Sequence, residues 1–460
     1  MSVFLLIPIL VGSSGLFLLI KLRAFFILHP IKCLKEGVRA IKRSSNLSSF
    51  TLALSGTLGV GNIIGVASAI MIGGAGSLFW LFVSALFSSV IKYSEAALTH
   101  GGRGMQDVIR ASLGRAGGIL SRLYMLLCIP LAFSMGATLQ AKSISGALCD
   151  SVETSPIVVV LLVLIFTLPL MSGSSEKSRN ISAKLVPFAT IVYISLCSAA
   201  IFVNFERLPK TLFNIISSAF SLRSIGGGVF GFTAILALKV GFSCVFLTNE
   251  AGAGTSSFAH TLLADTTPRE SGLFGVFEVF FDTVLICPLT GLAILTSPVD
   301  PAAYTSAMRL ASDAFASSLG APVRLLLAVA VFVFAISTVL CWYYYGVFAF
   351  VSLFRTSLPF TLGFLLSLFF GIFSSDAFVI ILSDLCLLLM ALPTLCAIIK
   401  SSDRLITLSE LGIFKKSKRK SRIKAGVFSI WALPKALISK ARSHPRVSTR
   451  SQARSRHPRG

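Results

Sequence analysis

Asn249 and Glu250 open the stretch NEAGAG at positions 249–254, with Gly252 and Gly254 directly behind them. The flanks, GFTAILALKVGFSCVFLT before and TSSFAHTLLA after, are apolar enough to lie in hydrocarbon. A carboxylate at the centre of a membrane costs about 3 kcal/mol or more unless it is paired or wetted. An amide, a carboxylate and two glycines in such a place are therefore either a loop between two spans or a break inside one span whose freed backbone binds something polar. A second stretch, SGTLGVGNIIG at 55–65, carries glycines at 56, 59, 61 and 65 together with Ser55 and Thr57. Glycines also let membrane helices approach one another, and the four around residue 60 fit either role. Packing does not account for Asn249 beside Glu250.

The elements that position these residues are membrane helices. The chain has 460 residues, 55% of them hydrophobic and 13% charged, with a mean hydropathy of +0.86. That balance belongs to an integral membrane protein, not to a soluble domain. Nine cysteines are scattered singly, without CxxC or Cys/His pairing, and read as small buried side chains. There is no HExxH and no GxSxG, and five histidines in the whole chain leave few bases for an enzyme. In MSVFLLIPILVGSSGLFLLIKLR the positive charges follow the apolar run and none precede it, the reverse of a cleaved signal peptide. The segment is expected to be a retained span with its N-terminus outside.

Spans long enough for a hydrocarbon core of about 30 Å are expected near 3–20, 50–72, 77–98, 120–147, 156–173, 183–204, 232–264, 271–297, 323–351, 358–373 and 377–399. About eleven crossings from an outside N-terminus leave the C-terminus in the cytoplasm. Charge agrees: Lys21, Arg23, Lys32, Lys35, Arg39, Lys42 and Arg43 fill the first inside loop, and Arg103, Arg110 and Arg115 the next. Arg207, Lys210, Arg223 and Arg309 run against the trend. The segment 401–460 holds sixteen Lys and Arg against Asp403 and Glu410. Such a tail fits a cytoplasmic face that touches anionic lipid, and without a folded module or interleaved aromatics it does not read as a nucleic-acid binder. Within it, GVFSIWALPKALISKARS at 426–443 has the make-up of an amphipathic surface segment.

The two glycine-broken spans each begin a set of five. Corresponding broken segments at the head of two halves are the sequence mark of an inverted repeat with a substrate site at its midplane. The expected organisation is an N-terminal helix and basic linker over 1–49, a first repeat over 50–204, a second repeat over 205–400 and a basic cytoplasmic tail over 401–460.

Read as whole motifs, three stretches resemble the alanine/glycine:cation symporter family. They are SGTLGVGNIIGVASAIMIGGAGSLFW (55–80) with IKYSEAAL (91–98), TNEAGAGTSSFAH (248–260) running on through SGLFGVFEVFFDTVLICPLTGLAIL (271–295), and FAISTVLCWYYYG (334–346). The likeness covers roughly residues 8–400. It implies an all-helical, LeuT-like membrane fold of one helix plus five and five. It implies a sodium-coupled, sometimes proton-coupled, plasma (inner) membrane importer of small neutral amino acids, chiefly alanine and glycine, working by alternating access.

On that reading a zwitterion meets donors and acceptors at the two breaks. The break at Gly56, Gly59 and Gly61 frees N–H groups where the helix dipole favours a carboxylate, and Thr57 adds a hydroxyl. The break from Thr248 to Gly252 frees carbonyls for the ammonium, with Asn249 and Glu250 bracing the backbone. The resemblance further implies that Gln140 faces the substrate and that Trp342 walls the pocket against longer side chains. The resemblance also implies that sodium, a hard ion that favours oxygen ligands, falls on the carbonyls of Ser55 and Leu58 and the hydroxyls of Ser337 and Thr338. Those two hydroxyls are equally able to bond back onto their own helix.

Other charges in the spans have expected roles. Asp282 is a structural or gating partner; Lys239 pairs with Glu250 or Glu278; Lys92 pairs with Glu95 three residues on; His260 is a packed residue and not a proton relay. Ala137 and Thr138 after Gly136, with Lys142, Cys244 and Val245, depart from the family pattern, which leaves serine or a D-amino acid open as substrate. Two rivals to the main reading are a proton-coupled symporter, with Lys142 or Lys239 supplying charge, and a sensor of amino acids that does not transport.

Overall fold

The computed structural model describes residues 3–42, 44–152, 154–172, 175–220, 232–260 and 266–414. These residues are helical almost throughout, and none of them lies in a strand. Hydrocarbon offers the backbone no partner, so a segment that crosses it must satisfy its own N–H and C=O groups. Among the described residues, seven helices are long and apolar enough to cross a membrane: Ala53–Gly73, Gly76–Leu98, Gly114–Val152, Lys184–Val203, Pro268–Thr296, Val323–Phe354 and Phe378–Lys400. Shorter apolar helices lie at Leu6–Lys21, Pro156–Met171, Ala234–Val245 and Leu358–Gly371. The chain is a multi-pass membrane protein. Its outward-facing side chains agree, with Ile165, Phe202, Phe213 and Phe373 all well exposed.

Two departures from regular helix define the architecture. Ser44–Thr57 and Gly61–Gly73 are separated by three residues, so the stretch that counts as one span by length is a helix, a kink and a second helix. Phe232–Thr248 ends at Asn249, and the chain runs irregularly until the short helix Ser257–His260. The end of the expected 232–264 span, at 261–264, lies outside the described residues. So do the basic segment from 415 onwards, the 426–443 stretch and Arg223.

Gly76–Leu98 packs against Gly61–Gly73, Phe232–Thr248 and Pro268–Val279. Its serines are buried, and Ser84, Ser88, Ser89 and Ser94 donate to carbonyls of their own helix at 2.7 to 2.9 Å, which leaves none of these four hydroxyls unmet. Glycines on its neighbours bring backbones close. A Cβ on Gly241 would fall 2.6 Å from the Ser77 carbonyl, and one on Gly275 would fall 2.6 Å from that of Lys92. Small residues at such contacts are what allow membrane helices to pack without a hydrophobic driving force between them.

Local sequence sets the ends of these elements. Thr267 caps Pro268–Val279 by accepting from Glu270 N at 3.2 Å, while the Glu270 carboxylate accepts from Thr267 N at 2.8 Å, and Pro268 occupies the first helical position. Two long helices contain π-helical turns, Ala132–Thr138 and Phe280–Ile286. Such bulges are frequent at functional sites because they free backbone groups and re-aim side chains. A strap over one end of the bundle, Pro30–Ile41, is tied by Glu36 to Arg269 Nε at 2.9 Å.

Candidate functional site

The first break is made by a tight turn. Leu58 N donates to Leu54 O at 2.6 Å and Gly59 N to Thr57 O at 2.8 Å, after which Ile63 N resumes the helix on Val60 O at 3.0 Å. The Thr57 hydroxyl donates to Leu54 O at 3.3 Å within its own half-helix. Gly59 and Gly61 sit where side chains have no room. A Cβ on Gly59 would lie 2.8 Å from the Thr338 hydroxyl, and one on Gly61 would lie 2.6 Å from the Leu247 carbonyl. The two breaks therefore touch, backbone against backbone.

The second break is an ordered irregular turn. Glu250, Gly252 and Gly254 have φ of +54°, +96° and +73°, the left-handed region that glycine enters freely and glutamate does not. Asn249 Oδ1 accepts from Ala251 N at 3.0 Å, the side-chain closure by which Asn stabilises turns. The Thr255 hydroxyl donates to the Glu250 carboxylate. The N–H groups of Gly252 and Gly254 both donate to Glu95 Oε1, at 2.7 and 3.1 Å. Lys92 Nζ stands 3.7 Å from Glu95 Oε2 and donates to Ser256 Oγ at 2.9 Å. All these groups are buried. The unwound backbone is thus held by a carboxylate from Gly76–Leu98 as well as by its own Asn249 and Glu250.

A relay joins the breaks. Asn62, in the first turn after the first break, donates to Asp282 Oδ1 at 2.6 Å; Thr283 donates to Asp282 Oδ2 at 2.8 Å; Asn249 Nδ2 donates to the Thr283 hydroxyl at 2.8 Å. Asp282 and Thr283 belong to the π-turn Phe280–Ile286, whose unwinding aims both toward the breaks.

The opposite wall comes from Val323–Phe354 and the other π-turn. Trp342 is fully buried, its ring 5.6 Å from that of Tyr345 in an edge contact. Its side chain lies directly against Gly136, where a Cβ would collide with it. Gln140 Nε2 donates to Met135 O at 3.1 Å in the π-turn. Gln140 Oε1, Trp342 Nε1 and Glu250 Oε1 are buried with no hydrogen-bond partner. Buried polar atoms are nearly always bonded, so each of these three atoms is free to take a polar guest.

Of the four residues expected around an ion, two meet directly: Thr338 Oγ1 donates to Ser55 O at 3.2 Å and to Phe334 O at 3.0 Å. Ser337 Oγ donates to Val333 O at 2.9 Å on its own helix. Leu58 lies in the turn beside Gly59. Elsewhere one expectation is corrected. Glu278 lies 2.7 Å from His260 Nε2 and Glu250 is met by Thr255, so Lys239 pairs with neither. Lys239 and Asp384 instead line a cavity of about 330 Å³ beside Gly65, Ser68, Ser243 and Leu247. Lys142 reaches the Ser374 carbonyl at 2.5 Å, far along the chain from either break.

The profile of the sodium:alanine symporter family matches residues 1–425. The chain belongs to that family. It is a secondary transporter and not an enzyme, as are its relatives. A protein named an uncharacterized transporter from Haemophilus influenzae is 28% identical over 409 residues, covering 85% of this chain and 89% of that one. The sodium/alanine symporter AgcS of Methanococcus maripaludis is 28% identical over 391 residues, covering 82% and 85%. The probable sodium/glutamine symporter GlnT of Bacillus subtilis is 26% identical over 422 residues, covering 87% and 86%. Among solved structures, MhsT in complex with L-phenylalanine superposes with a TM-score of 0.53 at 14% identity, covering 80% of this chain and 98% of that one. At that identity the likeness speaks for a shared LeuT-type fold.

Sequence reasoning on the symporter missed three things. It placed Glu95 with Lys92 alone and not on the backbone of the second break. It gave Asn62 no role, although an amide directly after the glycine run was the available signal. The two π-turns have no sequence signal of their own.

Proposed function

We propose that the chain imports small neutral amino acids, alanine and glycine first among them, together with sodium across the plasma membrane. The observation that supports this reading is the close approach of the two helix breaks at Gly61 and Leu247, together with three buried polar atoms without partners, Gln140 Oε1, Trp342 Nε1 and Glu250 Oε1. A zwitterion supplies both kinds of complement. Its carboxylate goes to the N-terminus of Gly61–Gly73, near Thr57, Gly59 and Gly61, where the unused N–H groups and the dipole favour an anion. Its ammonium goes to the carbonyls freed between Thr248 and Gly252. Gln140 orients it, and Trp342 leaves space for a short side chain only.

Sodium binds between Ser55 and Leu58 carbonyls and the Ser337 and Thr338 hydroxyls, all oxygen donors suited to a hard ion. The Thr338 to Ser55 contact of 3.2 Å supports this, since it brings two of the four donors together across the first break. An ion there and an amino acid beside it both bind best when the two breaks are drawn together, which couples their affinities through a shared conformation. Alternating access is then a movement of the broken helices against the rest.

In this reading the seven long and four short apolar helices make eleven crossings, one ahead of two inverted five-helix repeats over 50–204 and 205–400. The N-terminus is outside, and the basic tail beyond 401 lies on the cytoplasmic side against anionic lipid. Proteoliposomes loaded without sodium are expected to take up labelled alanine only when sodium is supplied outside. The double substitution Ser337→Ala with Thr338→Ala is expected to abolish that dependence. Uptake indifferent to sodium but collapsed by a protonophore would overturn sodium coupling.

A further inference from the structure

The strap Pro30–Ile41 presents three faces. Cys33, Gly37 and Ala40 are buried against the protein, with Gly37 pressed on the Phe277 ring. Phe277 belongs to Pro268–Val279 and lies about 14 Å along that helix from its start. The strap therefore runs beside the flank of a membrane-crossing helix and not merely below its end. Glu36, the one acid in the strap, turns to the same helix and meets Arg269 at 2.9 Å.

The other two faces are uncovered. Ile31, Leu34 and Val38, three and four residues apart and so in one line, are 69%, 52% and 39% exposed. Lys32, Lys35, Arg39 and Lys42 repeat the same spacing on the adjoining line, are all exposed, and make no ion pair among the described residues. An apolar line at the flank of a membrane helix is covered by acyl chains, and cations beside it reach up to headgroup level. Zwitterionic lipid satisfies the apolar line alone. Four cations without protein partners call for headgroups of net negative charge.

We infer that Pro30–Ile41 is an interfacial helix that gathers anionic phospholipid, with acyl chains against Ile31, Leu34 and Val38 and headgroup phosphates against Lys32, Lys35, Arg39 and Lys42. This surface is separate from the basic tail beyond 401 and does not depend on which ion drives transport. The strap precedes Ser44–Thr57 in the chain and packs against it. Headgroups that hold the strap thus fix the near end of the first broken helix to the leaflet.

Quenching by brominated lipid tests the inference on the purified full-length protein in bilayers. Leu34→Trp adds an emitter to the apolar line, and the wild type supplies the background of Trp80, Trp342 and Trp431. In bilayers of equal phosphatidylglycerol and phosphatidylcholine content, bromine on the phosphatidylglycerol chains is expected to quench the added emission about twofold more than bromine on the phosphatidylcholine chains. Adding Lys32→Gln, Lys35→Gln, Arg39→Gln and Lys42→Gln together should bring the two lipids level. Should that variant not be recovered folded, high salt on the Leu34→Trp protein should narrow the difference, because screening weakens surface attraction. Equal quenching by the two lipids, no added quenching by either, or a preference that survives neutralisation or high salt would each overturn the inference. The emitter is local, so lipid on the tail does not enter the reading. Failure of the symport reading, seen as no sodium-driven alanine uptake, leaves the result untouched.

Discussion

Asn62 and Asn249 stand beside different helix breaks and are joined through Asp282 and Thr283 by three hydrogen bonds of 2.6, 2.8 and 2.8 Å. Asn249 also serves its own turn, accepting from Ala251 N at 3.0 Å. The two irregular segments are consequently one structure. In a low-dielectric interior the bonds of such a chain reinforce one another, so disturbance at one break is felt at the other.

Residues in one hydrogen-bond network couple by about 0.5–3 kcal/mol in double-mutant cycles. Asn62→Ala and Asn249→Ala are each expected to lower sodium-driven uptake, and the double variant to lose less than the product of the single losses. Thr283→Val, which removes the central hydroxyl, should match the double. Strict additivity in initial rates would show that the relay does not link the breaks.

Glu95 holds the N–H groups of Gly252 and Gly254 at 2.7 and 3.1 Å. Leaving a buried donor unmet costs about 1–3 kcal/mol each, so Glu95→Ala should lower stability by about 2–6 kcal/mol and shift thermal unfolding in detergent down. Glu95→Gln keeps an acceptor and should lie between the two. Adding Lys92→Met to Glu95→Gln should restore part of the loss, since it removes the charge left alone.

Gly61 and Gly118 predict opposite outcomes for the same substitution. A Cβ on Gly61 would lie 2.6 Å from the Leu247 carbonyl, whereas one on Gly118 meets nothing within 4 Å. Gly61→Ala forces the two breaks apart and should reduce uptake more than tenfold; Gly118→Ala should leave it unchanged. Gly59→Ala, with Thr338 Oγ1 at 2.8 Å, should chiefly raise the sodium requirement. Dose–response curves for sodium and alanine separate the two effects.

Gly136 lies against Trp342, with no room for a methyl group. Overpacking typically costs about 1–3 kcal/mol. Gly136→Ala should therefore impair alanine uptake, and Trp342→Phe added to it should recover part. Trp342→Phe alone should broaden the range of accepted side chains, read in a panel of labelled amino acids.

The sequence alone determined the solvent, the helical class and the position of both breaks. Apolar runs long enough to cross a bilayer leave the backbone no option but helix, and glycine clusters within them have few other reasons to carry Asn249 and Glu250. The family was legible for a related cause: the 55–65, 248–260 and 334–346 motifs put their chemistry in consecutive residues. What the sequence did not hold was the pairing of groups on separate helices. That Glu95 reaches across to Gly252, that Asn62 meets Asp282 and that Lys239 misses Glu250 are consequences of which faces pack together. Periodicity in a membrane helix reports burial poorly, because the side toward lipid is as apolar as the side toward protein. The π-turns at 132–138 and 280–286 lie further still from local sequence. An extra backbone residue in a turn is stabilised by what its re-aimed side chains touch, and those contacts exist only once the helices have come together.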